Sequence, residues 1–278
     1  MQLMEKQTQK ETLKEYGRGI AGGLIFSLPL LYTMEVWWRG FTASPSFLLG
    51  GVIGTYLLLL GYNLFSGMRK DHSFWGVLWD SVEEISLAFF VSFVFLMLIG
   101  KVSLGMSLYE ITGKVIVESM IVAIGISVGS AQMGKSDQEK SGTSDSSEKG
   151  PGVWKMVILG ICGAVLISSS VAPTEEILMI AVETTAYHQL LMVLMSLLIA
   201  FLILAFIDFI KTSGVKRKKM KLWSDLVICY LSAFVASAAL LYFFGRFDGF
   251  GFDIILAQII VLSVAGTLGA SAGRLLIK

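Results

Sequence analysis

The sequence predicts an all-α, polytopic membrane helical bundle of about eight transmembrane helices, and three observations lead to this fold class. The 278 residues are 55% hydrophobic and only 15% charged, whereas soluble domains carry about 25% charged residues. The mean hydropathy is +0.74. The charges also gather in short segments between long uncharged stretches, as expected for helices that satisfy their own backbone hydrogen bonds in lipid.

Eight stretches are long and apolar enough to cross a bilayer, which takes roughly 20 residues. Their predicted bounds are 19–38, 46–66, 75–100, 108–131, 153–174, 190–211, 223–245 and 253–273. Residues 1–18 mix basic and acidic side chains and lack the apolar core of a signal peptide, so we expect a cytoplasmic N-terminal segment. Residues 134–152 are rich in Ser, Gly and charge, which predicts a flexible cytoplasmic linker.

Lys and Arg are distributed unequally between the two predicted sides of the membrane. With the N-terminus in the cytoplasm, the outer segments hold only Arg39, Lys101 and Arg246, and Lys114 lies within a span. The other Lys and Arg residues fall on the cytoplasmic side, which is the positive-inside pattern. An odd number of spans would destroy this bias, so both termini are expected in the cytoplasm.

The two halves of the chain, residues 19–133 and 153–278, resemble each other at a shift of roughly 140 residues. The matched positions are Gly22 and Gly163, Ser27 and Ser168, Thr33 and Thr174, and Glu35 and Glu176. Each half holds four predicted spans, so both halves would enter the membrane in the same direction. The sequence therefore predicts two parallel four-helix repeats, related by an axis along the membrane normal.

Acidic residues within or beside spans are the main functional candidates, because a charge in lipid is costly. Glu35 lies near the outer end of the first predicted span, which also contains Pro29, and a parallel repeat would place it at the same depth as Glu175 and Glu176. Such a group would form an anionic vestibule whose oxygen ligands suit hard cations. Proton sharing among crowded carboxylates is equally available. The alternative is that Glu35 is an interfacial acid beside Trp37 and Trp38.

A second acidic group, Asp80, Glu83 and Glu84, lies near the cytoplasmic start of the third span. Spacings of three and four residues place these acids on one helix face, which is expected to meet the bundle interior or water. Asp225 offers a fourth carboxylate at similar depth in the seventh span. The alternative is a solvated helix start, with the span beginning only at Ile85.

Lys114 and Glu118 lie four residues apart on the fourth span. This spacing predicts a structural ion pair inside the bundle. The alternative is that Glu118, near the membrane midplane, acts as a proton or cation relay held by Lys114. In the second half Gln258 takes the place of Glu118, so the two halves would not act identically.

The sequence contains no complete enzyme motif. Residues 172–176, APTEE, resemble the paired-glutamate motif of intramembrane CAAX-type proteases, but Ile180 stands where that family has an arginine, and no histidine lies within a span. Cys162 and Cys229 lie in apolar runs without the spacing of metal ligands. We therefore expect no cofactor, and the short basic loops do not suggest nucleic-acid binding.

The first span, GGLIFSLPLLYTMEVWW, together with the eight-span plan, resembles a family of uncharacterised bacterial integral membrane proteins. The resemblance implies a bacterial plasma membrane location and carries no activity. The placement of the acids leads to a cation channel or a proton-coupled cation transporter as the functional hypothesis. The alternatives are a non-transporting sensor or assembly partner and, third, a membrane-embedded hydrolase. The expected partners are the lipid bilayer and an inorganic cation or proton, and a homo-oligomer is left open.

Overall fold

The computed structural model describes residues 2–66, 74–103, 105–138, 153–211 and 219–273. Side chains are described for 15–66, 74–103, 105–131, 153–204 and 222–273. Within this part of the chain every regular element is a helix, which confirms the predicted all-α membrane bundle. The chain separates into two compact units, Met1–Gly150 and Pro151–Lys278, and each is described by itself.

Unit 1 contains five helices, four of which pack around a central one. They are α1 (Gln2–Leu31), α2 (Met34–Thr42), α3 (Pro45–Ser66), α4 (Phe74–Leu98) and α5 (Leu108–Gln138). The central helix is α5, which packs against the other four, while α4 also contacts α1 and α3. Helix α2, the C-terminus of α4 and the N-terminus of α5 lie together on one side of unit 1. We call this side the α2 end of unit 1.

The predicted first span, 19–38, is broken rather than straight. Helix α1 stops at Leu31, and α2 leaves it at an angle of 88°. Pro29 cannot donate a backbone hydrogen bond inside α1, and the Thr33 hydroxyl donates to the Pro29 carbonyl at 2.8 Å. Thr33 itself is extended and precedes α2. Glu35 therefore lies in the first turn of a short crossing helix, not at the end of a straight span.

Unit 2 also contains five helices, of which the last three are long. They are α6 (Val153–Ser168), α7 (Glu176–Glu183), α8 (Ala186–Lys211), α9 (Lys219–Phe243) and α10 (Phe252–Gly273). The central helix is α10, which packs against the other four, while α9 also contacts α6 and α8. The predicted span 153–174 ends early, because α6 stops at Ser168 and Pro173 lies in the turns that follow.

Six helices of the described chain are long and apolar enough to cross a membrane, or seven if α1 and α2 form one bent span. The predicted span 153–174 is missing from this count. It corresponds to α6, whose 16 residues extend over only about 24 Å, less than a hydrocarbon core of about 30 Å. Apolar side chains cover much of the exposed surface, most of all along α8. This surface suits lipid rather than water.

The central helices are crossed at glycine contacts in both units. A Cβ atom on Gly22 of α1 would lie 2.5 Å from the Gly129 Cα of α5. A Cβ atom on Gly163 of α6 would lie 2.3 Å from the Gly269 carbonyl oxygen of α10. Real Cβ atoms do not approach so closely, so each crossing depends on glycine for the direct contact of two backbones.

The fourth helix of each unit, which directly precedes the central helix, ends in the same kind of turn. Gly100 and Gly245 follow α4 and α9 with φ values of 74° and 71°. The Lys101 N–H then donates to the Leu96 carbonyl at 2.9 Å, and the Arg246 N–H makes the equivalent bond at 2.9 Å. This is the Schellman helix end, in which a left-handed glycine satisfies orphan carbonyls.

The predicted linker, 134–152, is partly helical. Helix α5 continues to Gln138, so the first five residues of the linker belong to it. Residues 139–152 lie outside the described part of the chain, as do the basic loop residues 212–218 and the C-terminal residues 274–278. The predicted N-terminal segment, 1–18, is continuous with α1 from Gln2 onward.

Candidate functional site

Carboxylates line a small cavity at the end of unit 1 that lies opposite the α2 end. Its walls come from the first half of α1, the first half of α4 and the second half of α5. The lining residues are Glu15, Tyr16, Gly19, Asp80, Glu83, Glu84, Leu87, Ile126 and Ser130. The space open to the centre of a water-sized molecule is about 10 Å³, which is room for about one water.

Glu84 is the most enclosed acid of this cavity, with 3% of its surface exposed. Its Oε2 accepts a hydrogen bond from Asn63 Nδ2 at 2.8 Å. Its Oε1 has no hydrogen-bond partner. Helix α3 supplies Asn63, so three helices hold this carboxyl group in place while leaving one of its oxygens available.

Asn63 organises the buried polar groups around Glu84. Its amide also donates to Ser81 Oγ at 3.1 Å, and its carbonyl accepts from Ser127 Oγ at 2.9 Å. All four residues are buried. Such a network orients its members rigidly, and the loss of one member would leave buried polar groups unpaired.

Asp80 and Glu83, which were predicted to share one helix face with Glu84, also line the cavity. Glu83 accepts a hydrogen bond from the Tyr16 hydroxyl, and Asp80 is 9% exposed. All three acids therefore line one cavity between α1, α4 and α5. No group of three His, Cys, Asp or Glu in the described chain is arranged to hold a metal ion.

Lys114, at the α2 end, does not form the predicted ion pair with Glu118. Its Nζ lies 2.5 Å from Glu110 Oε1 and donates to the Lys101 carbonyl at 3.2 Å. Glu110 is one-third exposed, so its carboxylate stays partly hydrated in this ion pair. An ion pair with the buried Glu118 would require a fully desolvated carboxylate, which costs more free energy. Glu110 and Glu118 each lie four residues from Lys114 on α5, and the difference in their burial explains why Lys114 pairs with Glu110.

Glu118 is fully buried in the middle of α5, and neither of its carboxyl oxygens has a hydrogen-bond partner in the described chain. A neighbouring donor is the indole N–H of Trp37, which likewise has no hydrogen-bond partner. Trp37 packs with Leu96, Val102 and Val115 in an apolar cluster. The Glu118 carboxyl group thus has the neutral Trp37 indole as a polar neighbour, and that indole packs in apolar surroundings.

Gln258, the predicted counterpart of Glu118 in unit 2, is also fully buried. Its Nε2 donates to the Arg246 carbonyl at 3.2 Å. Asp225 is buried near the start of α9. Both residues therefore lie inside unit 2 rather than on its surface.

The acids beside α2 and α7 are the most exposed of the predicted set. Glu35 is half-buried on α2, and Glu176 is exposed at the start of α7. Glu175 is exposed and lies 3.8 Å from Arg246 Nη1. Hydrogen bonding by Thr174 and by its own backbone amide, with the charge of Arg246, lowers the pKa of Glu176.

Several residues of these sites were not predicted from the sequence. Asn63 could have been identified from the sequence, because a polar amide within an apolar span is expected to face a hydrogen-bond partner inside the bundle. Glu15 and Tyr16 lie in the segment interpreted as a cytoplasmic lead-in, and only the packing of α1 brings them to the acids of α4. Glu110 is not among the predicted site residues, although it lies four residues before Lys114.

Comparison with known proteins identifies a family. The family model described as integral membrane protein (DUF2391) matches residues 15–277. No curated protein and no solved structure matches the chain.

Proposed function

The chain belongs to the DUF2391 family of integral membrane proteins, and on that premise we propose that it is a proton-coupled transporter of a small inorganic cation. The observation that carries this proposal is the acid-lined cavity of unit 1, where Glu84 keeps one unpartnered oxygen. Ionisable groups at membrane depth that face a bundle interior are typical of ion pathways and proton relays.

The size of the cavity supports a small inorganic substrate. Its space of about 10 Å³ admits about one water, and therefore a proton or a dehydrated monovalent cation. A divalent cation such as Ca²⁺ needs six to eight oxygen ligands, and no three acids of the described chain converge on a metal position.

The hydrogen bonding of the cavity supports exchange of a bound charge. Asn63 fixes one oxygen of Glu84 at 2.8 Å, and the Ser130 hydroxyl, also without a partner, lines the same space. Three further carboxylates stand beside Glu84, so binding of a cation or a proton would relieve repulsion among like charges. We assign the half-buried Glu35 and the exposed acids Glu175 and Glu176 to the attraction of cations toward each unit.

A duplicated architecture belongs to the same proposal. The helix contacts follow one order in both units, and both units contain a glycine crossing and a Schellman turn. These observations support two parallel four-helix repeats with eight membrane crossings, in which α1 with α2, and α6 with α7, each form one crossing. Asp225 then corresponds to Asp80 in the second repeat.

We place the protein in a bacterial plasma membrane with both termini in the cytoplasm, as the distribution of Lys and Arg indicates. A variant with Cys162 and Cys229 replaced by alanine serves as background for single cysteines at Ser103 and Ser144. A membrane-impermeant maleimide should label the Ser103 variant in intact cells and the Ser144 variant only after permeabilisation. Labelling of Ser144 in intact cells would reverse the orientation.

The transport proposal is tested with purified protein in liposomes under gradients of Na⁺, K⁺, Ca²⁺ and H⁺. We expect uptake of a monovalent cation that depends on an opposing pH gradient, and little response to Ca²⁺. Protein-free liposomes and heat-unfolded protein are the controls. If folded protein moves none of the four ions, the proposal is wrong, and a sensor or an assembly partner becomes the better explanation.

A further inference from the structure

We infer that Glu118 is a proton-binding residue of unit 1, and that Lys114 moves from Glu110 to Glu118 when this proton is released. Glu110, Lys114 and Glu118 are spaced by four residues along α5, so all three share one helix face. Lys114 stands in the middle, bound to Glu110 at 2.5 Å. It therefore lies between a partly exposed carboxylate and a fully buried one.

The surroundings of Glu118 fit the protonated acid. An ionised carboxylate costs far too much free energy in an apolar site without a partner, and such a group takes up a proton instead. Both carboxyl oxygens lack hydrogen bonds, and the Trp37 indole N–H beside them is also unpaired. Loss of the proton would leave a bare charge that requires a cation.

Lys114 is the cation best placed to supply that charge. In the described chain α3 carries no charged residue, α1 carries none beyond residue 18, and the acids of α4 lie at the other end. Helix α2 brings Glu35 and Arg39, and Arg39 faces an aromatic ring of α3 at 4.7 Å. The Lys101 ammonium stacks on the Trp37 ring at 4.5 Å. Only Lys114 combines burial with a spacing of one helical turn from Glu118.

Unit 2 contains the same turn without a titratable group. The carbonyl that follows Gly100 belongs to Lys101 and accepts from the Lys114 ammonium at 3.2 Å. The carbonyl that follows Gly245 belongs to Arg246 and accepts from the neutral Gln258 amide at 3.2 Å. A carboxamide does not ionise near neutral pH, so Gln258 cannot titrate at this turn of unit 2, whereas Glu118 can titrate in unit 1.

The exchange is balanced in atoms and charge. The carboxyl O–H bond of Glu118 breaks, its electron pair stays on the oxygen, and the proton passes to water at the α2 end. The Lys114 ammonium keeps its protons and rotates from Glu110 to Glu118. Glu110, one-third exposed, is then solvated by water. Any part that this proton exchange plays in transport rests on the proposed function, but the protonation of Glu118 does not depend on transport.

Infrared difference spectroscopy of the full-length protein in lipid vesicles tests the inference through the carboxylic-acid C=O band. The wild type should lose this band as the pH rises, and Glu118→Gln should lack that component from the start. Glu84→Gln should retain it. A Glu118→Gln spectrum identical to that of the wild type would overturn the assignment of the proton.

Two further variants test the movement of Lys114. In Lys114→Gln the Glu118 band should persist to higher pH, because the carboxylate has lost its counter-charge, and Lys114→Arg should restore the wild-type titration. Glu110 is partly exposed, and Glu110→Gln removes the ion-pair partner of Lys114. The Glu118 band should then disappear at lower pH than in the wild type, because Lys114 is available to stabilise the Glu118 carboxylate. If neither variant shifts the titration, Lys114 does not exchange partners.

The outcomes for transport and for protonation are separable. A titrating Glu118 band in a protein that moves no ions would support this inference and remove the proposed transport. Ion flux in a protein whose Glu118 band never changes would support transport and overturn this inference.

Discussion

Replacement of Glu84 by glutamine should reduce proton-coupled cation uptake to the level of protein-free liposomes. The variant keeps the shape of the side chain and an oxygen for the 2.8 Å hydrogen bond from Asn63, so the bundle should remain folded. It removes the only function that an amide cannot replace, which is the exchange of a charge with a proton or cation inside the cavity. Flux measured under an imposed pH gradient reports this loss.

A matched control for this variant is Glu183→Gln, which removes an exposed acid at the end of α7. Its uptake should equal that of the wild type. Asn63→Ala should lower the free energy of unfolding by about 1–3 kcal/mol, because it leaves buried polar groups unpaired. Unchanged uptake by Glu84→Gln would remove Glu84 from the transport path, whatever the effect at Asn63.

Leucine in place of Gly22 should destabilise unit 1 more than any substitution on its lipid-facing surface. The new side chain has no space, since even its Cβ atom would lie 2.5 Å from the Gly129 Cα of α5. Helices α1 and α5 must move apart, which costs about 1–3 kcal/mol or more. The same loss is expected for Gly163→Leu at the crossing of α6 and α10. Loss of helical circular dichroism on heating in detergent, at one scan rate, measures both effects.

Gly50→Leu is the control for these two variants. Gly50 lies on α3, and nothing lies within 4 Å of an added Cβ atom. Leucine also has a higher helix propensity than glycine by roughly 1 kcal/mol, so this variant should unfold at the wild-type temperature or above it. Equal midpoints for Gly22→Leu and Gly50→Leu would show that the crossing does not contribute to stability.

The distribution of the acids illustrates how far sequence patterns reach. Asp80, Glu83 and Glu84 were predicted to share one helix face because helical spacing is a local property, and all three line one cavity. The same spacing rule allowed Lys114 to pair with Glu118 or with Glu110, and it gave no reason to choose. The choice of Glu110 depends on which carboxylate keeps contact with water.

From the sequence alone follow the all-α membrane class and the approximate bounds of most long helices, because hydropathy and helix length are read along the chain. Only the tertiary structure decided where α1 breaks at Leu31, that Asn63 of α3 holds Glu84 of α4, and that Glu118 stands without a partner. Each of these depends on neighbours that are distant in sequence. Burial and hydrogen bonding are properties of packed helices, and one helix considered by itself does not contain them.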